Sequence, residues 1–528
     1  MYRLSSGDCV VMKNIQLIIP MAGSSEAFTK AGYVGPKWLI DIDGKPMIQH
    51  VIDRFPGVTD ILFICNQKEL QNPNVTNALK SLGGRVVGIN SNSRGPVDTI
   101  LQAAEYISDE KEVIVSYCDH GMVWNFHSFL EKVRSGNFDG AMTCYNDFHP
   151  HTLGTTGLYT FCKQKDNKLL EVQDKKPFTK ERSHEFVSSD VFYFKNGHIL
   201  KKYFEVAMTK PDMSYDENYF IALVYNLLTA DNLNVHVYKI ETMLLWATPE
   251  DLAVYKQWSK YFTQKKQKVN RASEQDFTLI LPMSGKGTRF SKEGYEVPKP
   301  LLPVDGKPMA IQAAECLPRH KDDVFICLNE HSIDRVLHNH FPKATVRIID
   351  HVTEGYAVSC ELGIDLIDEN TPIMISPCDN AVSYDEQAFL DMVADENNDV
   401  IVWSFRNSQA SKINPAMYTW MDVDESGFLR NMLYKQEPKG DPLKTHASVG
   451  IMYFRKAKYL LEGLRKNREQ SKRPMGELCM DSVAHQLADN NYKVKVFEVD
   501  HYVCWGTPND YKTYNYWQER FDKTCIRS

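Results

Sequence analysis

PMSGKGTRFSKEGYEVPKPLLPVDGKPM (282–309) lies without a gap over PMAGSSEAFTKAGYVGPKWLIDIDGKPM (20–47), with 15 of 28 positions identical and a constant offset of 262 residues, Lys37 to Lys299. Identity at that level over an ungapped stretch marks an internal duplication. The correspondence continues with small slips. SRGPV (93–97) matches TEGYA (353–357), SYCDH (116–120) matches SPCDN (376–380), and DKKP (174–177) falls on KQEP (435–438). FVSSDVFYF (186–194) then falls on HASVGIMYF (446–454), and WATPEDLAVY (246–255) on WGTPNDYKTY (505–514). Two copies of one domain are expected, over 12–258 and 277–528. The stretch between them, SKYFTQKKQKVNRASEQD (259–276), is Lys-rich and nearly free of large aliphatics, which suits a linker or a frayed terminal helix.

Each copy opens on an apolar, β-branched run (LIIP, LILP) that reads as a buried strand followed by a glycine-containing loop. Later runs such as DILFIC (60–65), VIVSYC (113–118), DVFIC (323–327) and PIMISPC (372–378) alternate with helical stretches such as DTILQAAEYI (98–107) and VSCELGIDLI (358–367). Strand and helix in alternation predict an α/β fold, a mostly parallel sheet covered on both faces. Ligands of such sheets bind at the carboxyl ends of the strands.

Composition narrows the function classes. The 528 residues carry 61 basic and 68 acidic side chains, a formal charge of −7, with no long basic run, so nucleic acid is not an expected partner. No stretch approaches the roughly 20 apolar residues of a membrane span, and MYRLSSGDCVVMKN lacks a signal-peptide core, so a cytoplasmic protein is expected. Twelve cysteines with no CxxC pair read as reduced thiols. His149 with His151, and His338 with His340, have no Cys or carboxylate cluster beside them in the sequence to complete a metal site.

In the second copy the opening strand runs into SGKGTRF (284–290). Gly285 and Gly287 let the backbone approach phosphate oxygens, amides at a following helix start attract anions, and Lys286 and Arg289 add charge. A tight turn carrying a solvated arginine is the alternative reading. A Gly-x-Gly-Thr-Arg loop followed about ten residues later by Pro-Lys-Pro (298–300) resembles the signature of sugar-1-phosphate nucleotidyltransferases, the nucleotide-sugar pyrophosphorylases, in the subgroup found with capsule and lipopolysaccharide genes. The resemblance covers nearly all of both copies. It implies two Rossmann-like, GT-A-like domains with a mostly parallel mixed sheet, and a reaction in which a phosphorylated acceptor attacks the α-phosphorus of a nucleoside triphosphate and pyrophosphate leaves.

The resemblance also implies roles. Arg289 would hold the departing phosphates and Lys299 would neutralise charge near the α-phosphate. Gly285, Lys286, Gly287 and Thr288 would cradle the triphosphate, and Glu354 and Gly355 of TEGYA would contact base and ribose. Asp379 of SPCDN would bind Mg²⁺, with capping of the next helix as its alternative. A second metal carboxylate of this family falls where this chain has Cys504, so one carboxylate suffices or another such as Asp500 substitutes. Gly450 and Glu477 are candidates for the acceptor's hydroxyls.

The first copy departs at the loop: AGSSEAF (22–28) puts Ser25, Glu26 and Ala27 in place of Gly287, Thr288 and Arg289. Ser24, Ser25 and Glu26 there suit helix capping. Lys37 and Asp119 survive, DKKP keeps Lys175 and Lys176 where the second copy is read as Gln436 and Glu437, and ENYFIALVYN (217–226), starting at Glu217, resembles the family's acceptor segment. The second copy is therefore expected to be the transferase, acting on a nucleoside triphosphate and a phosphorylated sugar or polyol. Rival readings are a GT-A glycosyltransferase and a non-catalytic binding protein of two worn domains. The commonest oligomer, a C₂ homodimer, competes with a pseudo-dimer within one chain.

Overall fold

The apolar runs that open the two copies become the central strands of two sheets. The computed structural model describes residues 14–90, 93–153, 159–180, 184–266, 273–469, 476 and 478–525. They form two compact units that divide between Lys256 and Gln257. In the first unit β1 (Ile15–Pro20), β2 (Asp60–Asn66), β3 (Arg85–Ile89), β4 (Glu112–Ser116), β5 (Gly140–Tyr145), β6 (Thr160–Lys165), β7 (Lys168–Asp174), β8 (Phe186–Phe194) and β9 (Val235–Lys239) lie in the order β3-β2-β1-β4-β8-β5-β9-β7-β6.

The second unit repeats the scheme. Strands β10 (Gln275–Met283), β11 (His320–Leu328), β12 (Thr345–Ile349), β13 (Ile373–Ile375), β14 (Val400–Phe405), β15 (Thr419–Val423), β16 (Leu429–Tyr434), β17 (His446–Phe454) and β18 (Val494–Glu498) lie in the order β12-β11-β10-β13-β17-β14-β18, with β15 pairing β16 and β17. All neighbours along this path are parallel except β17, which runs antiparallel to β13 and β14. In the first unit β8 plays the same role against β4 and β5. The mixed sheet that the family resemblance implies is present in both copies.

Central strands buried on both faces explain why the opening runs read as continuous rather than alternating hydrophobics. Ile15, Leu17 and Ile19 of β1 enter one core and Ile18 the other. Leu279 and Leu281 of β10 are separated from Ile280 in the same way. The helical stretch expected over 98–107 is a helix only over Gly95–Leu101, then a single 3₁₀ turn, Ala104–Tyr106, whose Tyr106 carbonyl accepts from Gln16 Nε2 at 3.0 Å.

Residues 259–266 of the expected linker continue the helix Pro249–Lys266. Aromatic rings supply the apolar face that aliphatics do not. Tyr261 and Phe262 are buried, Trp258 stacks on Trp517 at 6.2 Å, and Phe262 stacks on Phe521 at 5.4 Å.

Candidate active site

In both units the chain leaves the first strand, makes a short loop and helix, and returns through an extended proline into a 3₁₀ turn that starts on a lysine. Pro36 precedes the turn Lys37–Leu39, and Pro298 precedes Lys299–Leu301. The prolines fix φ and aim each lysine at the carboxyl end of the fourth strand. There Lys37 Nζ meets Asp119 Oδ2 at 2.6 Å, and Lys299 pairs with Asp379 in the same way. Burial alone would depress both ammonium groups, but the neighbouring carboxylate outweighs it and holds each lysine above its usual range.

Asp379 caps no helix. A strand, Asn380–Ser383, follows it, and the next helix, Glu386–Ala394, is capped by Asp385, which accepts from the Ala388 amide at 3.0 Å. The ribbon formed by Asn380–Ser383 with His501–Cys504 places Cys504 opposite Asn380, and the Asp379 carbonyl accepts from the Trp505 amide at 2.7 Å. Asp500 lies beyond the other end of that ribbon, roughly 13 Å along it at the usual strand rise. It is therefore not the substitute carboxylate. Burial, with Asp510 and Asp379 nearby, pushes the Cys504 thiol up to about 12, so it stays uncharged.

A hard cation can still be accommodated. A Cβ added at Gly506 would come within 3.3 Å of Asp379 Oδ2, so the glycine keeps space open beside that oxygen. Among the described residues no group of three His, Cys, Asp or Glu side chains forms a metal cage. One carboxylate is what Mg²⁺ needs when phosphates and water supply its remaining ligands. His149 is spoken for by its neighbours: Nδ1 lies 2.8 Å from the Asp147 carbonyl, and Nε2 accepts from the Met243 amide at 3.1 Å.

The two phosphate loops differ in backbone as well as side chain. Gly287 precedes the helix Thr288–Lys292 at φ 62°, ψ 31°, and a Cβ there would meet Lys299 Cβ at 3.0 Å. Glycine thus lets the loop close onto the catalytic lysine candidate. Gly285, Lys286, Thr288 and Arg289 are exposed, and Arg289 has no hydrogen bond or ion pair among the described residues. In the first unit Ser25 takes φ −96°, and its side chain does not cap the helix as expected. Its Oγ instead accepts from the Lys37 amide at 3.0 Å, while Ser24 Oγ accepts from the Glu26 amide at 3.1 Å. Glu26 pairs with Lys30 at 2.8 Å. The loop's own hydroxyls thus hold the Glu26 amide and, across the turn, the Lys37 amide.

Gly355 is buried and opens the helix Tyr356–Ile364, with Glu354 exposed beside it. A chain of hydroxyls that the sequence did not single out joins this loop to the phosphate loop. Ser284 Oγ lies 2.6 Å from Ser359 Oγ, which lies 2.6 Å from Thr353 Oγ1. The first unit keeps Ser93 and Thr99, 3.0 Å apart, but has Ala22 at the position of Ser284. There Gly95 is pressed against the Tyr219 backbone, 2.8 Å from where a Cβ would sit, and the Tyr219 amide donates to the Arg94 carbonyl at 2.9 Å.

On the acceptor side the expected register needs correction. Lys175 and Lys435 occupy the same place: both have positive φ, 55° and 45°, and both amides donate to the matching tyrosine carbonyl, Tyr159 at 2.9 Å and Tyr418 at 3.0 Å. Lys176 therefore corresponds to Gln436, and the second copy has kept one of the two lysines. Lys175 Nζ sits 3.8 Å from the centre of the Tyr215 ring, and Lys176 is exposed. Glu217 lies at φ 61° on the exposed tip between the strands Ser214–Tyr215 and Asn218–Tyr219. The expectation for Glu477 falls outside the described residues. Gly450 sits in β17 at φ 83°, with Pro377 Cγ 3.2 Å from where a Cβ would be. Its first-unit counterpart is Asp190, at φ 59°. Burial, with Asp119 and then Asp174 nearby, pushes that carboxyl up to about 7. The replacement of Gly by Asp was visible in the paired strings FVSSDVFYF and HASVGIMYF.

Among the described residues no helix is long and apolar enough to cross a membrane. The MobA-like NTP transferase domain matches residues 17–177 and again 279–470. No curated protein matches the chain. Similar solved structures include the nucleoside-diphosphate-sugar pyrophosphorylase from Vibrio cholerae RC9, 20% identical, with 46% of this chain and 99% of that chain covered and a TM-score of 0.39. The inositol-1-phosphate CTP transferase from T. maritima is 17% identical, with 46% and 96% covered and a TM-score of 0.37.

Proposed function

Because this chain belongs, through both of its copies, to the family of MobA-like NTP transferase domains and is a nucleotidyltransferase, we propose that its second copy joins a nucleoside triphosphate to a phosphorylated sugar or polyol. The observation that carries the assignment is the closure of the Gly287 loop onto Lys299, itself paired with Asp379, in a loop whose Arg289 is exposed and makes no hydrogen bond or ion pair among the described residues. A phosphate oxygen of the acceptor attacks the α-phosphorus. The new oxygen–phosphorus bond forms as the bond to the β-phosphate breaks, and pyrophosphate carries away the charge.

No covalent intermediate on the protein is needed, so its work is positioning and charge neutralisation. Lys299 neutralises the α-phosphate, Arg289 grips the leaving phosphates with its planar fork, and the amides of 285–288 line the triphosphate path. Asp379 would hold Mg²⁺, which supplies charge neutralisation at the phosphate oxygens when bound. Gly450 leaves room for the acceptor. Nucleotide-activated sugar made this way feeds polysaccharide synthesis in the cytoplasm, where the described free thiols would stay reduced. A homodimer is the assembly we propose.

The first copy reads as a partner that no longer takes triphosphate. Ser24 and Ser25 take up the Glu26 and Lys37 amides, Ala27 replaces the arginine, and Tyr219 crowds Gly95. Pyrophosphate release, measured with Mg²⁺ over four nucleoside triphosphates and a panel of phosphorylated sugars and polyols, tests the assignment. Release with one pair, lost in Arg289→Ala, is expected. Release that survives Arg289→Ala but is lost in Asp119→Ala would move the activity to the first copy.

A further inference from the structure

A cleft of about 510 Å³ opens in the second unit between Lys286 of the phosphate loop, the end of β11 and the end of β12. It lies immediately before Thr353–Ala357, the loop that carries Glu354 and Gly355. Leu328, Ile349 and Val352 give it apolar walls, and Glu330 and Asp350 line it with carboxylates. Neither carboxylate has a hydrogen-bond or ion-pair partner among the described residues. Apolar walls with a few polar groups that fix orientation are what a small planar ligand requires.

The carboxylates belong to the second copy alone. The paired strands β2 and β3 set Asn66 opposite Ile89, as β11 and β12 set Leu328 opposite Ile349. One and two residues further along, the first copy has Gln67 and Lys68 where the second has Asn329 and Glu330, and Asn90 where the second has Asp350. Both acids are absent from the copy whose phosphate loop has lost its arginine.

We infer that the second copy selects a nucleoside triphosphate whose base carries an exocyclic amino group, through Glu330 and Asp350. This rests on the second copy being the triphosphate site. An ionised carboxylate only accepts hydrogen bonds. Cytosine, adenine and guanine present an amino donor at the base edge, whereas uracil and thymine present a carbonyl oxygen at the matching position of cytosine's amino group. A carboxylate facing that oxygen leaves two acceptors without a proton between them. Asn329 and His351 can each donate or accept, so they serve either kind of base. Lys286 lies on the phosphate side.

Calorimetric titration of the full chain with the Mg²⁺ salts of CTP, UTP, ATP, GTP and dTTP needs no acceptor. The tightest ligand is expected to carry an amino base, with UTP and dTTP weaker by about tenfold or more, the size of one lost charge-assisted hydrogen bond. Glu330→Gln with Asp350→Asn should shrink that ratio towards one. UTP or dTTP bound as tightly as the best amino-base nucleotide, with Arg289→Ala weakening all of them, overturns the inference and leaves the site assignment standing. Tight binding indifferent to Arg289→Ala, or no binding of any triphosphate, overturns the site assignment and the inference with it.

Discussion

Replacing Asp190 by Asn should make the protein more stable at neutral pH and change little at acid pH. The carboxyl sits in a left-handed bulge of β8, is largely withdrawn from water and lies near Asp119 and Asp174, so its pKa is lifted from 3.8 to about 7. A group whose folded pKa lies above its unfolded value binds extra protons in the folded chain. Stability is therefore fullest below the unfolded pKa and is lost as pH rises towards 7. At 1.36 kcal/mol per pKa unit the full shift corresponds to about 4 kcal/mol, and partial exposure of the residue brings the expected range to about 2–4 kcal/mol. Asn removes the charge, keeps the size and tolerates positive φ. Urea unfolding of both proteins, followed by circular dichroism from about pH 3.5 to about pH 8, should give curves that nearly meet at the acid end and separate by that amount at the other. A difference that does not change with pH, or a variant less stable than the parent at pH 8, would refute the reasoning.

Lys299→Met should lower pyrophosphate release by about a hundredfold or more, whereas Lys37→Met should leave it within about twofold when both are assayed well below their unfolding temperatures. Gly287→Ala forces a Cβ into a left-handed position 3.0 Å from Lys299 Cβ. It should cost about 1–3 kcal/mol in a denaturant titration and reduce turnover, while Gly285→Ala, with open space around it, should be stable.

The duplication, the α/β alternation and the separate lysine and aspartate motifs were legible because they depend on apolar runs, prolines and short motifs that survive in both copies. The pairing of that lysine with that aspartate, 82 residues apart in the first copy and 80 in the second, was not. Other features turn on backbone geometry. Matching DKKP to KQEP by their prolines places Lys435 one residue out of register, because proline identity outweighed the left-handed turn that fixes the true match. Ser25 looked like a helix cap, yet its hydroxyl crosses to the Lys37 amide, a partner twelve residues away. Of the two readings of 259–276, a linker or a frayed terminal helix, the helix holds over 259–266, and its packing was obscured because tyrosine, phenylalanine and tryptophan do what is usually sought in leucine and valine. The hydroxyl chain from Ser284 through Ser359 to Thr353 joins residues up to 75 apart and has no local pattern.

The lysine and aspartate that clasp one another in each unit have a consequence for how ligands arrive. An anion that draws Lys299 away leaves Asp379 without its counter-charge in a sparsely hydrated place, and a cation that takes Asp379 does the same to the lysine. Each alone works against that penalty. A ligand bringing both signs of charge exchanges two partners in one step and meets none of it. Under the roles proposed above, the clasp biases the resting site against stray phosphate and free cations taken singly and towards the two together.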